Sequence, residues 1–425
     1  MNLLLVHNFY QQPGGEDEVF RTEYDLLRGS GHTVLQYTVH NDACDDMTKL
    51  ELARSTVWNT QAAGEIRDLV ASRQIDIVHF HNTFPLISPA AYSAAREEGA
   101  AVVQTLHNFR LLCPNGLFFR DGKPCEECLG KTPPWPAVAH GCYREDRKAT
   151  AVIAAALTIH RMRRTWHDDI DALIATTNFA REKFVQSGHP AHKITVKPNF
   201  LHPDPGVGPG DGDYALFVGR LSHEKGLKTL LDAWTHYGIP LKLKIIGDGP
   251  LADQLKASMA LANCEWLGDS PVQKHGIPAE SKNPSRRIQW LGRRPLEEVY
   301  HHIGAAKMLI FPSECYETFG RVAIEAFAKG TPVVASNHGA PADVVAHDRT
   351  GLLFTPGDAE DLALKVQTLL ASPATLARMR GVCRAEFDAK YTGRRAYEQL
   401  MAIYQRALEA RHPIPAGAFY VPKAS

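Results

Sequence analysis

A pair of doubly wound α/β domains is what this 425-residue sequence predicts. Three observations carry that expectation. Short apolar runs, many rich in β-branched residues, alternate with helical patterns, which is the signature of parallel sheets built from βαβ units. Each half holds about six such runs, the number one doubly wound domain needs. Between the halves lies His202-Pro-Asp-Pro-Gly-Val-Gly-Pro-Gly-Asp-Gly-Asp213, whose composition marks a linker with no core of its own. Two similar sheets joined by a hinge are expected to face each other across a cleft, where ligands favour binding.

In order along the chain, the run Asn2-Leu-Leu-Leu-Val-His7 opens the first domain as a buried strand at 3–6. Strands follow at 33–37, 75–79, 101–106, 172–175 and 194–196, short runs of mostly apolar and β-branched residues. The second half reads as strands at 215–218, 243–246, 288–290, 308–311, 332–335 and 352–354. Residues 271–287 are polar and rich in Pro, Lys and Ser, the composition of a mobile surface loop. Beyond Asp361 the pattern is mostly helical, and Tyr397, Leu400, Ile403, Tyr404 and Leu408 recur at helical spacing. The expected organisation is a first domain at 1–203 with a cysteine-rich insertion at 113–142, and a linker at 204–213. A second domain at 214–391, a helix at 392–411 that packs back on the first domain and a tail at 412–425 complete it.

Lysine plus arginine and aspartate plus glutamate number 47 each, so the charge balance gives no reason to expect nucleic acid as a partner. No secretory leader pattern opens the chain. The longest small-apolar run, 149–159, is too short to span a bilayer. A cytoplasmic protein with reduced cysteines is expected.

The most informative motif is Glu317-Thr-Phe-Gly-Arg-Val-Ala-Ile-Glu325, after the run Met308-Leu-Ile-Phe-Pro-Ser313. A strand ends at a loop carrying Glu317, and Gly320 opens a helix that holds Glu325. Free N–H groups and the positive dipole end of a helix suit phosphate. Carboxylates accept hydrogen bonds only and suit hydroxyl-rich ligands. Eight helical residues span roughly 12 Å, about the distance from ribose to sugar across a diphosphate. The plain alternative is two solvent-facing glutamates near a helix start. A second motif, Gly219-Arg220-Leu-Ser-His-Glu-Lys225-Gly226, follows a strand and places two cations on a tight loop, suited to a diphosphate leaving group. Alone it would read as a solvated charged loop.

In the first half, Gly14-Gly15 after the first strand lets backbone approach a ligand, or simply makes a strand-to-helix turn. It forms neither a GxGxxG fingerprint nor a P-loop. Leu106-His107-Asn108 ends a strand on the side where such sheets bind ligands; His79 and His81 are weaker candidates of the same kind. Cys113, Cys125, Cys128 and Cys142 fall within thirty residues. The Cys125-Glu-Glu-Cys128 spacing is that of half a structural zinc site, with four free thiols or a redox pair as the alternatives. His140 is a substitute ligand. Finally, residues 144–166 carry Arg144, Arg147, Lys148, Arg161, Arg163 and Arg164 around an apolar stretch ending at Trp166. Such a segment either lies on an anionic membrane surface or is an Ala-rich core helix with solvated ends, the reading preferred on sequence.

With these residues in hand, the chain resembles the family 4 retaining glycosyltransferases of the GT-B fold, from the first strand to about residue 400. The second half follows the family pattern through Gly219-Arg220, Lys225-Gly226, Gly247-Asp-Gly-Pro250, Pro312-Ser313, Glu317 to Glu325, Ala326-Phe-Ala-Lys-Gly330-Thr-Pro-Val-Val334 and Gly351-Leu-Leu. The first half adds Gly14-Gly15, Gly31-His32 and Leu106-His107, and the four-cysteine insertion looks like that of a bacterial subset. The resemblance implies that Arg220 and Lys225 hold a donor diphosphate and that Glu325 binds the ribose. Glu317 would contact the transferred sugar, supported by the backbone of Phe319 and Gly320, with Gly219 beside them. Gly15, next to Gly14, would approach the diphosphate, His107 would sit near the reacting carbon, and the Leu291-Gly292 loop would meet the base. One departure stands out. The family often has Gly-Gly-x-x-Glu after the Pro-Val-Val strand, and here it reads Gly339-Ala-Pro-Ala-Asp343.

The expectation is a retaining glycosyltransferase that moves a sugar from a nucleotide-diphosphate sugar to a hydroxyl of a glycan or lipid-linked acceptor. Surface-polysaccharide or lipid-linked glycan assembly is the implied setting. It would need no cofactor for chemistry, would carry structural zinc on the four cysteines, and would touch the inner face of the membrane peripherally. The rivals are a nucleotide-sugar epimerase on the same fold, a non-catalytic sugar-nucleotide-binding subunit and a zinc-stapled assembly module.

Overall fold

The computed structural model describes residues 1–12, 14–261, 265–266 and 288–412. The loop read at 271–287, Pro13 and the tail from 413 lie outside the described residues. The chain divides into two units, one comprising residues 1–118, 125–202 and 393–425, the other 119–124 and 203–392.

The first unit is built on a six-stranded sheet of β1 (Asn2–Phe9), β2 (Thr33–His40), β3 (Ile77–Asn82), β4 (Ala101–Leu106), β7 (Ala172–Ala175) and β8 (Ile194–Val196), in the order β2-β1-β3-β4-β7-β8. A two-residue ribbon, β5 (Phe119–Arg120) with β6 (Lys123–Pro124), intervenes in sequence. The sheet is parallel throughout. Leu3, Leu4, Leu5 and Val6 are fully buried, because helices cover both faces and leave no side for water. One of those covers is the C-terminal helix Gly393–Arg411. Its Leu400, Ile403, Tyr404 and Ala407 join Leu3, Leu5, Ile77, Val103 and Ile174 in one core cluster. Each fully buried Leu or Ile contributes about 1.5–3 kcal/mol relative to exposure.

The second unit holds a seven-stranded sheet of β9 (Tyr214–Val218), β10 (Lys242–Ile246), β11 (Glu265–Trp266), β12 (Ile288–Trp290), β13 (Met308–Phe311), β14 (Val333–Ser336) and β15 (Gly351–Phe354). The order is β11-β12-β10-β9-β13-β14-β15, again all parallel. Without the short edge strand β11 this is the Rossmann order, in which successive strands reverse direction of travel at β9 and β13. In the first sheet the reversal falls between β1 and β3. Ligands of such sheets bind at these switch points, outside the carboxyl ends of the strands.

The glycine-rich stretch read as a linker is tightly docked within the second unit. Gly208, Gly210 and Gly212 donate their N–H groups to the carbonyls of Lys329, Gly304 and Ala305 at 3.0, 2.9 and 2.8 Å. A Cβ on Gly208 would lie 2.2 Å from Gly304 Cα. Gly208 is there because only bare backbone fits so close to another backbone, while a Cβ on Gly210 or Gly212 would meet the Arg380 or Tyr214 side chain first. Composition alone does not separate that role from that of a free hinge.

Candidate functional site

In the second unit, three loops leave the carboxyl ends of the strands at the switch point. The first, after β9, turns through Gly219, whose N–H donates to Ile246 O at 3.0 Å. It continues to Arg220, Ser222, Glu224, Lys225 and Gly226. Gly226 has φ of +70°, and a Cβ there would lie 1.9 Å from Pro312 O. This position therefore requires glycine, which lets the β9 loop lie directly on the β13 loop. The backbone fastens the two together: Glu314 and Cys315 donate their N–H groups to Glu224 O at 2.9 and 3.3 Å.

Glu317 is the centre of the arrangement. Lys225 Nζ donates to its Oε1 at 2.5 Å and Ser313 Oγ donates to the same oxygen at 2.7 Å. The third loop, after β14, closes on the same place. His338 Nε2 bonds Ser313 O at 2.8 Å, and Ala340 N–H donates to Glu317 O at 3.3 Å. Gly339, at φ of +59°, lies against the Glu317 backbone. Burial would lower the Lys225 pKa, but the Glu317 carboxylate outweighs it and holds it above its ordinary value, so the ammonium stays charged. Burial pushes the neighbouring Cys315 thiol strongly upward, with Glu317 adding to the effect, so it is not a nucleophile.

Arg220 is exposed and pairs with Glu224, which also accepts a hydrogen bond from Ser222 Oγ at 2.7 Å. Burial raises the Glu224 pKa, but the Ser222 and Arg220 bonds hold it below the usual carboxylate range. Each of the two predicted cations thus already carries a carboxylate partner. Glu224 and Ser313 stood in the motifs read from the sequence but were given no role there, and His338 was missed. The i,i+4 spacing of Arg220 and Glu224 was a readable signal for the first of them.

Gly320, at φ of +81°, caps the helix Arg321–Ala328, and a Cβ there would meet the Phe311 ring at 2.3 Å. Phe319 is buried against Tyr391, their rings 6.3 Å apart, which anchors the approach to the helix. Glu325 is buried one turn in, with Arg321 Nε 3.2 Å from its Oε1. Leu291 and Gly292 follow β12 on the same sheet edge. Leu291 N–H donates to Ile245 O at 2.8 Å, and Gly292 O accepts from Gly247 N–H at 2.9 Å. The structure therefore gathers Gly219, Arg220, Lys225, Leu291, Gly292, Glu317, Phe319, Gly320 and Glu325 at one end of one sheet.

The first unit holds a second constellation. Gly14 caps the helix Gly15–Gly29, and its N–H donates to Asp17 Oδ2 at 2.8 Å. Asp17 Oδ1 lies 2.7 Å from His7 Nε2, both buried, so the glycine loop is tied to β1. His107 Nε2 lies 3.0 Å from His81 Nδ1, the two rings stacked. His81 Nε2 is 3.2 Å from Glu23 Oε1, and His79 Nδ1 is 2.9 Å from the same oxygen. Lys197 Nζ, 2% exposed, donates to Glu23 Oε2 at 3.1 Å, and Tyr404 OH lies 2.8 Å from His79 Nδ1. Burial would raise the Glu23 carboxyl, but Lys197 and then His79 hold it well below its ordinary range. Burial, reinforced by His79, pushes His81 down to about 3. Burial and His81 together hold His107 well below its ordinary value. His107 is thus a neutral imidazole, a hydrogen-bonding group rather than a cation.

Glu23, His79 and His81 bring three ligand atoms within 4.8 Å of one another, the only such set among the described residues. Lys197 already neutralises the carboxylate, so the set is a charge-balanced network, not a cation site. The four cysteines do not form such a set. Cys113 and Cys128 are buried and unpaired. Burial pushes Cys128 up to about 11, reinforced by Cys113, Cys142 and Cys125, whose charges it feels. Burial also raises Cys113, against the N–H groups of Phe118, Asn115 and Gly116 that bond its sulfur.

Both halves of the chain match families of glycosyltransferase domains. Residues 203–382 match the family described as glycosyl transferases group 1, and residues 14–199 the glycosyl transferase 4-like domain. Among relatives, a 2-deoxystreptamine N-acetyl-D-glucosaminyltransferase of Niallia circulans is 26% identical over 200 residues, 46% of this chain and 46% of that protein. A glycogen synthase of Mycobacterium tuberculosis is 31% identical over 217 residues, 50% of this chain and 46% of that one. The chain thus spans about half the length of each. D-inositol 3-phosphate glycosyltransferase 1 of Catenulispora acidiphila is 27% identical over 360 residues, 82% of this chain and 75% of the relative. HepE of Anabaena, solved in complex with UDP, superposes with a TM-score of 0.65 at 16% identity, covering 95% of this chain and all of that one. A sucrose-phosphate synthase of Thermosynechococcus elongatus gives 0.68 at 19% identity, covering 96% and 99%. The fold is that of the GT-B glycosyltransferases.

Proposed function

We propose that this protein is a retaining glycosyltransferase that transfers a sugar from a nucleotide-diphosphate sugar to a hydroxyl of a glycan or lipid-linked acceptor in surface-polysaccharide or lipid-linked glycan assembly. The observation that carries the reading is the pairing of Lys225 with Glu317, which lies on the loop that leads from β13 into the Gly320 helix terminus, at the switch point of the second sheet. A diphosphate suits that place because Arg220, Lys225 and the positive end of the Gly320 helix lie on neighbouring loops, where they would stabilise growing leaving-group charge. Lys225 would share its protons between Glu317 and phosphate, and Glu317 would turn a free oxygen to a sugar hydroxyl. Glu325 would bond the ribose, and the Leu291-Gly292 loop would meet the base. His107, neutral, would donate or accept a hydrogen bond at the sugar. Transfer with retention by same-face attack follows the family resemblance. HepE was solved with UDP and with UDP-glucose, so uridine-diphosphate sugars are the first donors to test.

A structural zinc on Cys113, Cys125, Cys128 and Cys142 belongs to the same proposal. Its support is the Cys125-Glu-Glu-Cys128 spacing with two further cysteines within thirty residues. The donor chemistry fits zinc; binding would have to draw the sulfurs together.

The functional test is a melting-temperature panel of nucleotide diphosphates and their sugars, followed by donor hydrolysis with the best binder. A ligand held by the native state alone raises the melting temperature. No shift with any nucleoside diphosphate overturns the donor reading. Interconversion of the free nucleotide sugar without hydrolysis or transfer favours the epimerase. Binding with neither favours the non-catalytic subunit.

A further inference from the structure

We propose that the groove between the helices Trp135–His140 and Arg147–Met162 docks the protein on an anionic phospholipid surface. The inference stands on the first unit alone and does not need the transferase reading. The groove has a volume of about 480 Å³ and is lined by Pro133, Trp135, Val138, Ala151, Ala155 and Ile159.

The Arg147–Met162 helix lies at the surface, yet no Asp, Glu, Lys or Arg occurs between Lys148 and Arg161. Its inward face, Ile153, Ala154, Ala156, Leu157 and His160, is buried. Its outward face, Ala151, Ala155, Ile159 and Met162, is exposed and equally apolar. A surface helix ordinarily turns polar residues to water; apolar residues on both faces leave one face without its solvent. Trp135 is 59% exposed and Met162 76% exposed beside that face. A contiguous exposed patch of this kind marks an interaction surface.

The charges around the patch select the occupant. Lys131, Arg147, Lys148 and Arg163 are exposed around it, toward both ends of the helix, and Arg164 beside them is paired with Asp168. Lys131 Nζ lies 5.2 Å from the Trp135 ring centre, a cation beside an amphipathic indole, as suits the headgroup layer. Of the nearby carboxylates, Asp146 is spent on capping Lys148 and Ala149 N–H, and Asp168 on Arg164; Glu145 is exposed. A second copy of this chain would bring like-charged rims together, whereas anionic lipid neutralises them. No helix among the described residues is long and apolar enough to cross a membrane, so the helix pair would lie on the surface with its apolar face in the acyl boundary.

The test is co-sedimentation of the full chain with vesicles of phosphatidylglycerol and phosphatidylcholine, against phosphatidylcholine alone, at low and high salt. Anionic vesicles should carry at least about tenfold more protein at low salt, because each basic residue near such a surface adds attraction that salt screens. Met162→Glu and Ile159→Glu should abolish binding, and Arg147→Glu with Lys148→Glu should remove its salt dependence. Leu364→Glu, an exposed position in the other unit, should change nothing. Circular dichroism checks that each variant is folded. The proposal is overturned by no enrichment on anionic vesicles, by binding that Met162→Glu leaves intact, or by a solution dimer that Met162→Glu dissolves, which would assign the face to a second copy.

Discussion

Gly226 shows how a single residue sets the donor-side geometry. Its φ of +70° and the 1.9 Å between a built Cβ and Pro312 O leave no room for a side chain. Gly226→Ala should cost about 2–4 kcal/mol, the range of strain plus steric conflict at a special backbone position; chemical denaturation would measure it. Glu325→Ala should weaken donor binding by about 1–3 kcal/mol, the cost of removing hydrogen bonds to hydroxyls in a closed site. Unchanged donor affinity would remove the ribose role. Glu23→Gln tests the other unit. It leaves Lys197 buried without its counter-charge, and loss of one partner of a buried pair costs about 3–5 kcal/mol. A variant as stable as the parent would show that the pair is not what fixes the histidine network.

At the scale of elements, the doubly wound pattern was fully legible. Every strand read from apolar runs is present, because most of them are buried on both faces and so continuous in hydrophobicity; β2, at the sheet edge and partly exposed, was legible from its β-branched residues. What escaped were β11, two residues long, and the β5–β6 ribbon, since so short a run has no period to detect. The positions of Arg220, Lys225, Glu317 and Gly320 after strands were legible for the same reason. Their pairing was not. That Lys225 reaches Glu317, 92 residues away, depends on which strands neighbour each other, and spacing within one loop carries no information about that. The docking of Gly208, Gly210 and Gly212 was equally hidden, because a glycine needed for close approach and a glycine in a free linker look alike in sequence. Of the two readings of the basic segment at 144–166, the core helix is the one present, on its inner face; its outer face is exposed and apolar.

For the whole molecule, buried histidines dictate an acid response. His81 and His189 have folded values of about 3 and His302 of about 4, each pushed down first by burial. The unfolded value is about 6.5. Between the two the unfolded chain binds more protons, so stability falls as pH drops from about 6.5 toward 4. Each such histidine contributes up to about 1.4 kcal/mol per pH unit across that window. Glu23, held well below its ordinary value, adds a further loss below the unfolded carboxylate value of about 4.3. Melting scans across this range should show a steep decline; a flat profile would mean that the histidines are not held neutral. Metal analysis of purified protein should give about one zinc per chain; a metal-free, fully folded preparation would remove that part of the proposal.

The most direct measurement is isothermal titration of the intact protein and its Lys225→Ala variant with UDP and UDP-glucose. Saturable one-to-one binding, weakened at least about tenfold in a folded Lys225→Ala variant, is the outcome expected if a charged lysine at the switch point holds the diphosphate. Equal affinity in the two proteins would contradict it.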